Sequence, residues 1–118
     1  MAAQEGTDDN AVVLSIDTPM YSEQDRRRLH REIEEVMAAS ARRLVVDCSD
    51  TGWFGPPILD ELIQAQQRLA RKGGDLVLVT KSSTIGRILK AARLNRLKTF
   101  VSVQSALAYD RQSVLAAA

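Results

Sequence analysis

Leu44-Val45-Val46-Asp47-Cys48, then Ser49 to Gly55, then Pro56-Pro57-Ile58-Leu59: this passage decides the fold. A continuous apolar run of that length marks a strand covered on both faces, since a half-wet strand would alternate. The turn-rich stretch behind it ends at two prolines. Proline is tolerated in the first turn of a helix, whose amides have no intrahelical partner, so Pro56-Pro57 opens a helix. Leu59, Leu62, Ile63 and Leu69 supply its buried stripe. Arg71 and Lys72 suit its negative end, and Gly73-Gly74 stops it. Leu76 to Val79 is then a second short, doubly buried strand.

Working outward, the same alternation continues in both directions. Val12 to Ile16 reads as a strand ended by Asp17-Thr18-Pro19. Ser22 offers an N-cap, with Asp25 three positions on, and Leu29, Ile33, Val36 and Met37 fall on one face of the helix that follows. Downstream, Ser82 or Ser83 caps a third helix with Ile85, Ile88, Leu89 and Ala92 inward. Phe100, Val101 and Val103 mark a last strand, and a weak helix runs through Ala106 to about Leu115. Residues 1–10 are polar and acidic and read as a flexible leader, with an extra edge strand within them left open, and 11–115 form a single domain. Strand and helix in strict alternation, with strands too apolar for a wet face, predict an α/β fold: a mostly parallel sheet of four to five strands with about four helices.

At 118 residues, the chain suits one modest core. Lys and Arg total 16 and Asp and Glu 15, so bulk charge recruits neither nucleic acid nor membrane. No apolar stretch approaches the roughly eighteen residues of a membrane-crossing helix. The leader is unlike a signal peptide, and the lone Cys48 has no disulfide partner, so the cytoplasm is the expected compartment.

The inventory of catalytic groups points away from an enzyme. His30, the sole histidine, sits on the Arg/Glu-rich first helix and reads as a boundary or surface residue. Cys48 lies inside a strand, where a buried inert thiol is expected. No phosphate-binding glycine loop, dinucleotide fingerprint or metal-ligand spacing occurs, so neither cofactor nor metal is expected. Asp47 and Asp50 flank a strand end where α/β folds often place ligands, but no base or nucleophile accompanies them.

The segment from Arg43 to Leu107 resembles the core of a STAS domain of the anti-sigma-factor-antagonist type, and the match extends over about residues 11 to 109. In that family a strand ending in Asp-Leu-Ser leads through an aromatic or apolar pair into Asp-Ser-Ser-Gly-Leu at a helix start; here Asp47-Cys48-Ser49 and Trp53-Phe54 occupy the corresponding places. The resemblance implies a non-catalytic regulatory module whose partner is an anti-sigma factor or switch kinase. It also implies a phosphorylated serine at the helix start, where added negative charge would disrupt the contact. This sequence departs there. With Leu59 matched to the family leucine, Gly55 replaces the aspartate, Pro56 and Pro57 replace the serines and Ile58 replaces the glycine. Pro57 thus stands at the family phosphosite and cannot accept phosphate; Ser49 and Thr51 are the nearby hydroxyls. The alternative reading is a constitutive STAS subunit or scaffold of a larger complex, a lipid-transporter or stressosome-like assembly.

Two surfaces are expected to bind. Trp53, Gly55, Pro56, Pro57 and Ile58 form the partner-binding set, with Trp53 facing solvent and Phe54 plugging the core. Arg87, Lys90, Arg93 and Arg96 form a basic patch in a segment, between Asp75 and Asp110, that holds no acidic residue. Neither nucleic-acid binding nor membrane insertion is expected, and self-association stays open.

Overall fold

The computed structural model describes residues 2–5, 11–16, 20, 22–39, 41–50, 55–82, 85–87, 89 and 97–108. The strands are β1 (Ala2–Glu5), β2 (Ala11–Ser15), β3 (Arg43–Asp47), β4 (Asp75–Val79) and β5 (Lys98–Phe100). The helices are α1 (Glu23–Ala38), α2 (Pro56–Arg71) and α3 (Val103–Ala108), and residues 85–87 and 89 are also helical. The sheet order is β1-β2-β3-β4-β5. β2 through β5 run parallel, and β1 is an antiparallel edge strand, with Ala2 opposite Ser15 and Glu5 opposite Val12. The segment read as a leader therefore contributes a strand.

β3 occupies the centre, and the alternation of its side chains divides the core in two. Leu44 and Val46 join the large cluster under α1 and α2, with Leu29, Ile33, Ile58, Leu62 and Leu69. Val45 points to the opposite face and packs with Val77, Val79 and Ala106 of α3. All three β3 residues are fully buried, which is why the run Leu44-Val45-Val46 contains no polar position. Burying a leucine or valine side chain stabilises by about 1.5–3 kcal/mol, so this strand and β4, where Leu76, Val77, Leu78 and Val79 are all buried, anchor the sheet.

Local chemistry fixes where the helices begin and end. Ser22 Oγ accepts the Asp25 N–H (3.1 Å) and Asp25 Oδ2 accepts the Ser22 N–H (3.2 Å), a reciprocal cap that starts α1. The turn that stops α2 reaches Gly73, whose φ of +80° favours a residue without a Cβ. Gly74 is required for another reason: a Cβ there would lie 2.1 Å from the Arg42 carbonyl oxygen. Arg43 pairs with its register neighbour Asp75 (3.0 Å) and donates from Nη1 to the Ala106 and Leu107 carbonyls (3.3 and 3.5 Å), tying the end of α3 to the sheet.

The last strand is shorter than the sequence reading, which carried it to Val103. It stops at Phe100 because Ser102 turns the chain: its Oγ accepts the Ser105 N–H (3.1 Å) and its carbonyl accepts the Ala106 N–H (3.1 Å), making Val103 the first residue of α3. The last helix thus begins three residues before the expected Ala106. Its expected continuation to Leu115, like Ile88 and Ala92 of the third helix, lies outside the described residues.

Candidate functional site

The carboxyl ends of the parallel strands meet along one end of the sheet. Beyond each strand the ladder runs one residue further: Ile16 N–H donates to the Asp47 carbonyl (2.9 Å), Cys48 N–H to Val79 (2.8 Å) and Thr80 N–H to Phe100 (2.9 Å). The connection from β3 to α2 leaves from this end, so the start of α2 stands there. In open α/β sheets this is the end where ligands and partners are met.

The helix start is stripped of donors. Gly55 is the N-cap in an extended conformation, with no side-chain cap, and the first turn carries no acidic residue. Pro56 and Pro57 hold the first two helical positions and have no N–H. The Ile58 and Leu59 N–H groups both donate to the Gly55 carbonyl (3.0 and 3.3 Å), and the Gly55 N–H donates to the Met20 carbonyl (2.9 Å). A helix N-terminus ordinarily offers free amides to an anion. Here each of the amides from Gly55 to Leu59 is missing or already engaged.

Of the expected partner-binding set, Pro56 is exposed and Pro57 half-buried. Gly55 is buried, and Ile58 is fully buried in the main core. These two are corrections: Gly55 is anchored through both backbone groups, and Ile58 sits on the face of α2 that meets the sheet, so neither offers surface to a partner. Trp53 and Phe54 lie outside the described residues, as do Thr51, Lys90, Arg93 and Arg96. Arg87, the described member of the basic patch, is exposed.

Asp47 and Ser49 at the end of β3 satisfy each other. Asp47 Oδ1 accepts both the Ser49 N–H (3.0 Å) and the Ser49 hydroxyl (2.5 Å), a turn built from side chain to backbone. Asp50 is exposed. Cys48 is buried, and burial, with a smaller contribution from the Asp47 charge, pushes its thiol up to about 12. It is chemically quiet at neutral pH. Among the described residues no cluster of His, Cys, Asp and Glu could hold a metal ion, and no helix is long and apolar enough to cross a membrane.

Glu61 was not singled out in the sequence, yet it is the one buried carboxylate among the described residues, 1% exposed. Its Oε1 accepts from Arg26 Nη1 (2.9 Å), and its Oε2 lies 3.0 Å from His30 Nδ1. Arg26 also donates to Glu23 (2.6 Å), and the Glu23 hydrogen bond, with Glu61 adding to it, raises the guanidinium further above its ordinary range. Glu34 joins from the far side, near His30 Nε2 (3.6 Å) and against Arg68. The network ties α1 to α2 directly below the helix start. A sequence signal existed: Glu61 falls three residues after Ile58 and four before Ala65, inside the apolar stripe, while Arg26 and His30 are four apart on α1.

The STAS domain profile matches residues 3–106. Solved structures of the same shape include a candidate anti-sigma factor antagonist from Thermotoga maritima (15% identity, TM-score 0.79, 90% of each chain covered). An anti-sigma factor antagonist from Mycobacterium paratuberculosis is 20% identical, with TM-score 0.75 and 90% of each chain covered. The Bacillus cell fate determinant SpoIIAA, in its phosphorylated form, is 13% identical with TM-score 0.69, covering 90% of this chain and 96% of its own. No curated protein matches the sequence. A parallel sheet with an antiparallel edge strand, helices α1 and α2 over one face and α3 over the other, together with the profile match across nearly all of the chain, places this protein in the STAS domain family.

Proposed function

We propose that the chain is a non-catalytic regulatory module that binds an anti-sigma factor or related switch kinase through the start of α2, without a phosphoswitch there. The observation that carries this reading is the pair of prolines at the first two positions of α2, one of them exposed. Proline has no hydroxyl to phosphorylate and no amide to receive a phosphate, so the corner contributes shape alone. Its φ angles are fixed before binding, which lowers the ordering cost of docking. Ser49, the last described hydroxyl that precedes α2 in the chain, is held by the Asp47 carboxylate, and a phosphate on it would face that negative charge at close range. The similarity to anti-sigma factor antagonists supports the class of partner; SpoIIAA itself has been solved in phosphorylated and unphosphorylated forms.

The test is co-purification with the anti-sigma factors of the native host. A stable complex is expected, weakened about tenfold or more by Pro56→Glu, which puts a charge on the exposed corner. Absence of any anti-sigma factor, with transporter ATPase subunits or other STAS proteins recovered instead, would overturn the reading in favour of a constitutive subunit.

A further inference from the structure

Beyond the proline corner, the same end of the sheet carries a groove of about 480 Å³ between the ends of β4 and β5 and the start of α3. It is lined by the apolar Phe100 and Val101, the hydroxyl residues Thr80, Ser82, Thr99 and Ser105, and Lys81. Val101 is 68% exposed, the one large apolar side chain so exposed among the described residues. We propose that this groove is a second docking surface, which takes a segment of a protein partner that interleaves carboxylate with aliphatic side chains.

Three observations carry the proposal. Charge is the first. Between Asp75 and Asp110 the sequence has six Lys and Arg and no acidic residue. Lys81 and Arg87 are exposed, and no ion pair joins either to a described residue, so their field is uncompensated locally. The second is composition. A lining that mixes apolar side chains with hydroxyls and a lysine matches a carboxylate beside an aliphatic group, whereas single-stranded nucleic acid calls for stacking platforms along a cationic track. The third is Gly86, which lines the groove from a helical position. Glycine weakens a helix, and here neither a positive φ nor a close neighbour demands it: nothing lies within 4 Å of where its Cβ would be. An open groove wall is what its missing side chain provides.

The proposal rests on the reading of the chain as a partner-binding module, and its test separates the two. The full chain, labelled with ¹⁵N, is titrated with a peptide alternating glutamate and leucine, its lysine–leucine counterpart, a single-stranded oligonucleotide and phosphatidylserine vesicles. The acidic peptide alone should shift the amides of Lys81, Ser82, Thr99, Val101 and Ser105. Lys81→Glu combined with Arg87→Glu should weaken it about tenfold. Gly86→Met, which projects into free space, should weaken it similarly with a melting temperature no lower than that of the parent. Shifts elsewhere, unaltered binding by these variants, equal or tighter response to the oligonucleotide or vesicles, or self-association through the groove would each overturn the proposal. If the groove fails while Pro56→Glu still breaks anti-sigma factor capture, the proposed function survives; if the groove fills but no anti-sigma factor is captured, the groove survives and the proposed function falls.

Discussion

Cys48 lies one residue beyond β3 with its thiol buried, and its acidity is set by that position: burial raises it to about 12, with Asp47 adding to the rise. The folded value stands above the ordinary thiol value, so the fold gains from the neutral form. That stabilisation is fully present below about pH 9 and is lost as pH climbs toward 12, at up to about 1.4 kcal/mol per pH unit. A thiol reagent at pH 8 should leave the native chain unlabelled and label it quickly in denaturant. Across pH 8 to 11 the denaturation midpoint should fall more steeply for the parent than for Cys48→Ala; fast labelling of the folded protein would contradict the assignment. Pro57 acts through the unfolded state instead. Its backbone is already helical, so Pro57→Ala should lower stability by about 0.4–1 kcal/mol, by widening the conformations open to the unfolded chain. Denaturant titration reads this directly, and a rise in stability would mean that the ring is strained in place.

At the scale of elements, the pairing of α1 with α2 turns on Glu61. Arg26→Ala removes the guanidinium and leaves a fully buried carboxylate with His30 as its remaining named partner across the helix pair. The expected loss of stability exceeds that of Glu23→Ala, because a buried carboxylate is left with one fewer donor. Glu23→Ala, at the exposed end of the same network, should cost under about 0.5 kcal/mol. Equal effects in the two variants would show that the network does not depend on burial. These helices were legible in the sequence to differing degrees. The α1 stripe of Leu29, Ile33, Val36 and Met37 is buried as read, since the polar residues between those positions leave only one face to cover. The α2 stripe is rotated: Ile58, Glu61, Leu62, Ala65 and Leu69 face in, while Leu59 and Ile63 pack at its margin. A count of large apolar residues passes over an inward alanine and a glutamate whose charge is answered by another helix.

For the whole molecule, the order of strands and helices was readable because β2, β3 and β4 are continuous apolar runs separated by capped or glycine-stopped helices. β1 was not, because Ala2-Ala3-Gln4-Glu5 lacks β-branched and aromatic residues; pairing along one edge of β2 makes it a strand, and that is a tertiary effect. The corner at Pro56 and Pro57 was readable as a helix start with no hydroxyl at its first two positions. The burial of Gly55 and Ile58 beside it was not, since it depends on the contact with Met20 and on how α2 lies over the sheet. The central claim, that this corner recognises a protein by shape and without a covalent charge, is tested most directly by titration calorimetry. The chain is titrated with its anti-sigma factor before and after incubation with the switch kinase and Mg-ATP, and phosphate on the chain is measured by mass spectrometry. The account predicts no phosphate between residues 47 and 59 and the same affinity in both titrations; phosphate on Ser49 or Thr51 accompanied by loss of binding would contradict it.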